Sequence, residues 1–135
     1  MKIIIQKTRN GKKFPLPKQK SRYSSGFDLL AAILDPIIIK VGEIKLIPTG
    51  IKLKIPFGYE GQVRSRSGLA LREGISVLNS PGTIDADFRG EIQVILINHG
   101  QKQFTIEPGF RIAQLVISYT PNFFFEEGTI KTLET

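Results

Sequence analysis

Gly50-Ile51-Lys52-Leu53-Lys54-Ile55-Pro56-Phe57-Gly58 decides the fold class, because three apolar residues alternate with two lysines between a glycine and a Pro-Phe-Gly turn. A period of two sets Ile51, Leu53 and Ile55 on one side and the lysines on the other, the pattern of a strand with one face in water. Similar short runs lie on either side of it. Lys2 to Gln6, Ile37 to Lys40, Glu91 to Ile97 and Arg111 to Ser118 are rich in Ile, Val, Leu and Phe. Turn formers separate them, among them Asn10-Gly11, Asp35-Pro36, Gly42, Pro48, Pro81-Gly82, Asn98-His99-Gly100 and Pro108-Gly109. Many short strands punctuated in this way predict an all-β sandwich, barrel or jelly roll. One short segment reads as helix, Gly68-Leu69-Ala70-Leu71-Arg72-Glu73, closed by Gly74 and with Ser67 in the N-cap position. From Asn122 the chain leaves the strand pattern, and an extended tail is expected there.

The bulk properties narrow the function classes. A chain of 135 residues suits one hydrophobic core, so residues 1–135 are read as a single domain. No apolar run nears the roughly 20 residues of a membrane span, and Ile3-Ile4-Ile5 breaks into Lys7-Thr8-Arg9 too soon for a signal-peptide core. A soluble, cytoplasmic protein with no membrane partner is expected. The absence of cysteine excludes disulfides, thiolate zinc sites and thiol nucleophiles. The formal charge of +7 is an N-terminal property: residues 1–22 carry eight cations and no acid, and the remainder 11 cations against 12 anions. Such a segment can contact nucleic acid, but a solvated strand and loop is the favoured reading and no nucleic-acid partner is expected.

Chemistry concentrates between Val63 and Glu91. Val63 to Ser67 reads as the end of a strand, with Arg64 and Arg66 on one face. Ser67 and Gly68 then open the helix, whose first N–H groups lack internal partners and attract anions. Arg66 adds a planar donor fork, Ser67 a hydroxyl and Gly68 close backbone approach. By itself, Arg-Ser-Gly reads more readily as an ordinary capped helix beside a surface arginine. A second patch, Gly109-Phe110-Arg111-Ile112-Ala113-Gln114-Leu115, places Arg111 and Gln114 on opposite strand faces by parity. Gln114 is then free to reach a ligand while Arg111 ties into structure, although by itself the patch reads more readily as a buried strand.

The candidate acid-base groups are carboxylates, since His99 is the sole histidine and sits in a turn-like Asn-His-Gly best read as surface loop. If Ile84 to Gly90 is extended, Asp85, Asp87 and Arg89 project to one side and Ile84, Ala86 and Phe88 to the other. A carboxylate near a triphosphate can orient and deprotonate water while Mg²⁺ neutralises developing charge. The competing reading of Asp85 to Arg89 is a surface ion pair. Asp28, in Ser25-Gly26-Phe27-Asp28-Leu29-Leu30-Ala31, lies among apolar neighbours and needs a partner if buried. Backbone, an arginine and metal-bound water all remain open as that partner.

These residues resemble the trimeric dUTPases, the deoxyuridine triphosphate nucleotidohydrolases. Four of the family's five motifs stand in order: Ser25 to Ala31, Arg66 to Ala70 with flanks, Asn79 to Glu91, and Gly109 to Leu115 within Pro108 to Ile117. The resemblance implies a distorted β jelly roll, or β-clip, with one short helix, assembled as a homotrimer whose active sites draw on several subunits. It implies hydrolysis of dUTP to dUMP and pyrophosphate by water attack on the α-phosphorus, limiting uracil in DNA and supplying dUMP for dTMP synthesis. Asn79 to Phe88, including Gly82, Thr83 and Ile84, would form a uracil-binding hairpin that reads the base through backbone groups. Asp85 would touch the 3′-hydroxyl and activate the water, and Phe88 would pack on deoxyribose. Arg66, Ser67, Gly68 and Gln114 would hold phosphates, with Asp28 assisting in the second shell of Mg²⁺ through water.

The sequence departs from that pattern at Phe88, where tyrosine is more usual, at Phe110, where an acid is common, and at Ser65, where proline is frequent. The fifth motif, a glycine-rich arm with an arginine and a phenylalanine, has no counterpart here; Lys131-Thr132-Leu133-Glu134-Thr135 resembles the run-up to it. Two other activities share the motif evidence, a non-catalytic nucleotide-binding regulator and a dCTP deaminase of the same fold. Asn79 to Gly90 fits the uracil hairpin better than the latter.

Overall fold

A computed structural model describes residues 1–133; Glu134 and Thr135, the end of the stretch resembling the run-up to the arm, lie outside the described residues. Eleven strands and one α-helix follow in the order β1 (Ile4–Lys7), β2 (Phe27–Leu30), β3 (Ile37–Ile39), β4 (Ile44–Pro48), β5 (Ile51–Lys54), β6 (Tyr59–Arg64), α1 (Ser67–Glu73), β7 (Ile75–Val77), β8 (Gly82–Ile84), β9 (Gln93–Asn98), β10 (Phe104–Ile106) and β11 (Arg111–Tyr119). Among the described residues no helix is long and apolar enough to cross a membrane.

The pairing is antiparallel and nested. β2 pairs with β11, β3 with β10 and β4 with β9, so the chain folds back on itself as a rolled ribbon. The remaining strands complete a four-stranded sheet in the order β2-β11-β6-β8, a three-stranded sheet β4-β9-β7, and the pair β1-β5. This is the jelly-roll-like, mostly β architecture expected from the turn spacing. Inward faces fill one core in which Leu29, Ile39, Ile47, Ile75, Ile92, Leu96, Ile106 and Ile112 are fully buried. β5 keeps the expected alternation, with Ile51 and Leu53 buried and Lys52 and Lys54 exposed.

Several boundaries move. β1 begins at Ile4 rather than Lys2, and Asn10–Lys13 forms a 3-10 helix where only a turn is legible. Asn98 is wholly buried: its Nδ2 donates to Ile39 O at 2.9 Å and Lys102 O at 2.8 Å, while its Oδ1 accepts from Gly100 N at 2.8 Å. That side chain satisfies the backbone of a sharp turn from inside the core, leaving His99 exposed as a surface loop residue. Residues 120–133 carry no regular secondary structure and lie outside the core, with Phe124 and Phe125 almost fully exposed.

Candidate active site

The cleft starts from a row of cross-strand neighbours. On β11, Gln114 stands opposite Asp28 of β2 on one side and opposite Arg64 of β6 on the other. Directly opposed residues of an antiparallel sheet share a face, so the sheet brings Asp28 beside Gln114 from distant parts of the sequence. Immediately after β6 the chain turns into α1 and delivers Arg66, Ser67 and Gly68 to the same place. A cleft of about 260 Å³ results, lined by Lys20, Ser24, Gly26, Asp28, Arg66, Ser67, Gly68, Arg72 and Gln114.

Within it, Arg66 resolves the question of Asp28's partner. Its Nε lies 3.3 Å from Asp28 Oδ1, with both side chains mostly buried, and its Nη1 donates to Arg111 O at 3.1 Å. Gln114 Nε2 donates to Ser65 O at 3.0 Å, which pins the β6–α1 corner to β11. Ser65, in the place of the family's frequent proline, accepts a hydrogen bond from Val77 N at 2.9 Å through its hydroxyl and so ties the same corner to β7. A β-carbon at Gly26 would press on the Gln114 amide, so a larger residue there would displace the side chain that holds Ser65 O.

Three local expectations are corrected. β6 ends at Arg64, so strand alternation no longer relates Arg64 to Arg66. Arg64 turns to Gln62 Oε1 at 3.1 and 2.6 Å and does not line the cleft. The N-cap of α1 is Arg66, in extended conformation, and Ser67 is the first helical residue, its hydroxyl making no cap bond. A β-bulge between Arg111 and Ala113 breaks the parity argument for Arg111 and Gln114. Arg111 lines an adjoining cleft of about 270 Å³ that shares Lys20 and Asp28 with the first, and it is its carbonyl that is held.

The second carboxylate segment is built differently. β8 is the edge strand of the four-stranded sheet, so its outward N–H and C=O groups have no strand partner there. Asn79 approaches it from the β7–β8 connection, with its side chain over Gly82. The notion of a self-paired hairpin needs correction, because β8 pairs with β6 and β7 with β9. Ile84 to Gly90 is not extended either: Phe88 N donates to Asp85 O at 3.0 Å, closing a turn over Asp85 to Phe88. Asp85, Asp87 and Arg89 are exposed. Arg89 Nη1 donates to Ala86 O at 2.6 Å and Phe88 O at 3.2 Å, and makes no ion pair with Asp85 among the described residues. The Phe88 ring lies over Gly90 and is 42% exposed, open to a ligand on its outer face.

The two segments do not meet within one chain. β8 runs antiparallel to β6 with Gly82 opposite Val63 and Ile84 opposite Gly61. Asp85 therefore leaves the Gly61 end of β6, while Gln114 stands opposite Arg64 at the other end and Arg66 follows just beyond it. Three residues of strand already separate these ends by about 10 Å.

A model of the family described as dUTPase matches residues 12–134. The chain belongs to the dUTPase family. It is 56% identical over 117 residues to the deoxyuridine 5′-triphosphate nucleotidohydrolase of Rickettsia akari, a match covering 87% of this chain and 79% of that one. To the enzyme of the same name from Rickettsia typhi it is 51% identical over 134 residues, covering 98% and 90%. The fold is that of a dUTPase from phage phi11 of S. aureus, with a TM-score of 0.83 at 19% identity over 95% of this chain and 97% of that one. That phage protein, a point mutant, is described as coordinating a structural Mg(II) ion. The dUTPase of Staphylococcus bacteriophage 80alpha, solved as a mutant with dUpNHpp, has a TM-score of 0.79 at 22% identity, covering 99% of both chains.

Lys20 and Arg72 line the cleft although neither stands out in the dUTPase motifs. Arg72 had a local signal, four residues after Gly68 on one helix face. Lys20 had none beyond its place in the basic segment, which a single bridge from Gln19 to Phe27 and a hydrogen bond from Asp28 N to Lys18 O at 2.9 Å lay along β2. Among the described residues no group of three His, Asp or Glu side chains forms a metal cage. A magnesium ion here would take its inner ligands from phosphate and water, the usual habit of Mg²⁺ at nucleotides, with Asp28 the one carboxylate lining the cleft.

Proposed function

We infer that this chain is a dUTP diphosphatase, hydrolysing dUTP to dUMP and pyrophosphate, which limits uracil incorporation into DNA and supplies dUMP for dTMP synthesis. The observation that carries the reading is the cleft of Arg66, Ser67, Gly68 and Gln114 in a chain more than half identical to named nucleotidohydrolases. In this reading Arg66, Ser67, Gly68 and Gln114 hold the phosphates. The free edge of β8 at Gly82, Thr83 and Ile84, with Asn79, reads the base through backbone groups. Phe88 packs on deoxyribose. The exposed Asp85 accepts the proton of a water that attacks the α-phosphorus. Mg²⁺ supplies neutralisation of phosphate charge, with Asp28 holding a water beside it. The separation of Asp85 from Arg66 along β6 supports a site shared between copies, the cleft of one chain facing the Asp85 segment of another; in this reading the copies form the family's homotrimer, acting in the cytoplasm. No feature of the cleft calls for a deaminase or for a pure binder.

The test is pyrophosphate release from dUTP, dTTP, dCTP and UTP, with Mg²⁺ and with the metal chelated. Release from dUTP alone, lost on chelation, is expected. Ammonia from dCTP, or stoichiometric dUTP binding with no pyrophosphate, would overturn the reading.

A further inference from the structure

The cleft holds three cations and one carboxylate, Lys20, Arg66 and Arg72 against Asp28. Arg66 is committed locally, to Asp28 Oδ1 at 3.3 Å and Arg111 O at 3.1 Å. Its charge is offset by the acid it touches, so the surplus positive charge that a polyphosphate would meet comes from elsewhere. Arg72 is exposed and stands one helical turn after Gly68. Its guanidinium folds back across that turn: a β-carbon on Gly68 would stand 2.9 Å from Arg72 Nη1 and 3.1 Å from Nη2. The missing side chain of Gly68 is thus the space in which this guanidinium rests. Among the described residues the ion pairs are Lys45 with Glu43 and Arg66 with Asp28, leaving Arg72 without an acid. The arginine side chains that donate to protein acceptors are Arg64, Arg66 and Arg89.

An uncommitted guanidinium at the wall of a cleft carrying surplus positive charge is a fork for phosphate oxygens. We propose that Arg72 grips the polyphosphate chain directly as a second guanidinium beside Arg66, whose charge Asp28 partly offsets. The assignment rests on reading this cleft as the phosphate-holding part of the site. Lys20 lies in the same cleft and adds charge without the planar fork, so its removal should matter less.

The experiment compares the parent chain with Arg72→Gln, Arg72→Lys and Lys20→Gln in two assays. In the first, calorimetry measures binding of inorganic tripolyphosphate and of dUMP. Arg72→Gln should weaken tripolyphosphate roughly 10- to 30-fold, as expected for a charge-assisted pair, with dUMP unchanged within about twofold. Arg72→Lys should recover part of that loss, and Lys20→Gln should cost about threefold or less. In the second, KM for dUTP should rise in Arg72→Gln by a similar factor. Arg72 is exposed on a helix, and an unchanged urea midpoint checks that the variant is folded. Parent-like tripolyphosphate affinity in a folded Arg72→Gln overturns the assignment, even if dUTP is hydrolysed normally. A parent chain that leaves dUTP intact, with tripolyphosphate binding still lost in Arg72→Gln, defeats the hydrolase reading and upholds Arg72 as a polyphosphate anchor.

Discussion

The cleft around Asp28 and the segment around Asp85 differ in how much of the fold holds each carboxylate. Asp28 sits on a strand, beside Gln114 by sheet register and in contact with Arg66, and the corner carrying Arg66 is tied to β11 and β7 through Gln114 and Ser65. Asp85 leaves an edge strand into a turn closed by one backbone hydrogen bond, and its side chain faces water. A group that must keep several phosphate oxygens in register gains from rigid neighbours. A group that must take a proton from water gains from access to it. The two carboxylates should therefore respond differently to substitution: one change should strike chemistry and spare stability, the other should strike both.

The sharpest break is at Asp85. Asp85→Asn is expected to bind dUTP with near-parent affinity and to lose hydrolysis by roughly 10²- to 10⁴-fold, the range for removing a positioned base, with an unchanged urea midpoint because the side chain is exposed. Mixing this variant with Arg66→Ala should then restore activity above either alone, since some sites would combine an intact cleft with an intact Asp85. Absence of restoration after unfolding and refolding the two variants together would confine the site to one chain and contradict the separation along β6.

Asp28→Ala comes next. Removing the partner of a mostly buried arginine should lower unfolding free energy by about 1–3 kcal/mol, seen as a lower urea midpoint at constant m. It should also raise KM for dUTP, as Arg66 loses its anchor. A variant as stable as the parent would show that Arg111 O alone holds Arg66.

How far the sequence carries this contrast depends on the range of the interactions. Period-two patterning made β5 legible because its face is decided by its own residues, while β9 and β11 were legible as apolar runs bounded by turn formers. The nested partners β2 with β11 and β3 with β10 carry no local signal, since register is set only once distant strands meet. The same blindness left Asp28's partner open among three possibilities, and Lys20 was hidden because only an irregular bridge from Gln19 to Phe27 brings its segment to β2. Misreadings came from extending a local rule past its element. Alternation was carried beyond Arg64 to Arg66, and beyond Ile84 to Arg89, where a helix cap and a turn take over. Motif order placed Arg66, Ser67, Gly68 and Gln114 in one site, and the sheet brings these four together. It could not place Asp85 relative to them.

Smaller in effect is the corner itself. Ser65→Ala leaves Val77 N–H without its acceptor at a partly buried position, and should cost about 1 kcal/mol in urea unfolding. Activity should fall by less than threefold, because Gln114 still holds the Ser65 carbonyl. A loss of activity as large as that of Asp28→Ala would mean that β7, through this one bond, sets the position of Arg66.

The least effect is expected at the ring of the exposed segment. Phe88 rests one face on Gly90 and leaves much of its surface in water, and the side chain of Arg89 donates past it to Ala86 and Phe88 carbonyls. Phe88→Tyr keeps the stacking area and adds a phenol hydroxyl that water can solvate, so stability should change by no more than about 0.5 kcal/mol. Discrimination between dUTP and UTP, measured as the ratio of kcat/KM values, should hold within about threefold, because in this reading the ring's apolar face meets the sugar and both side chains share it. A large change in that ratio would assign the discriminating contact to a polar atom at the ring's edge, and the exposed segment would then be reading the sugar by hydrogen bonding rather than by shape.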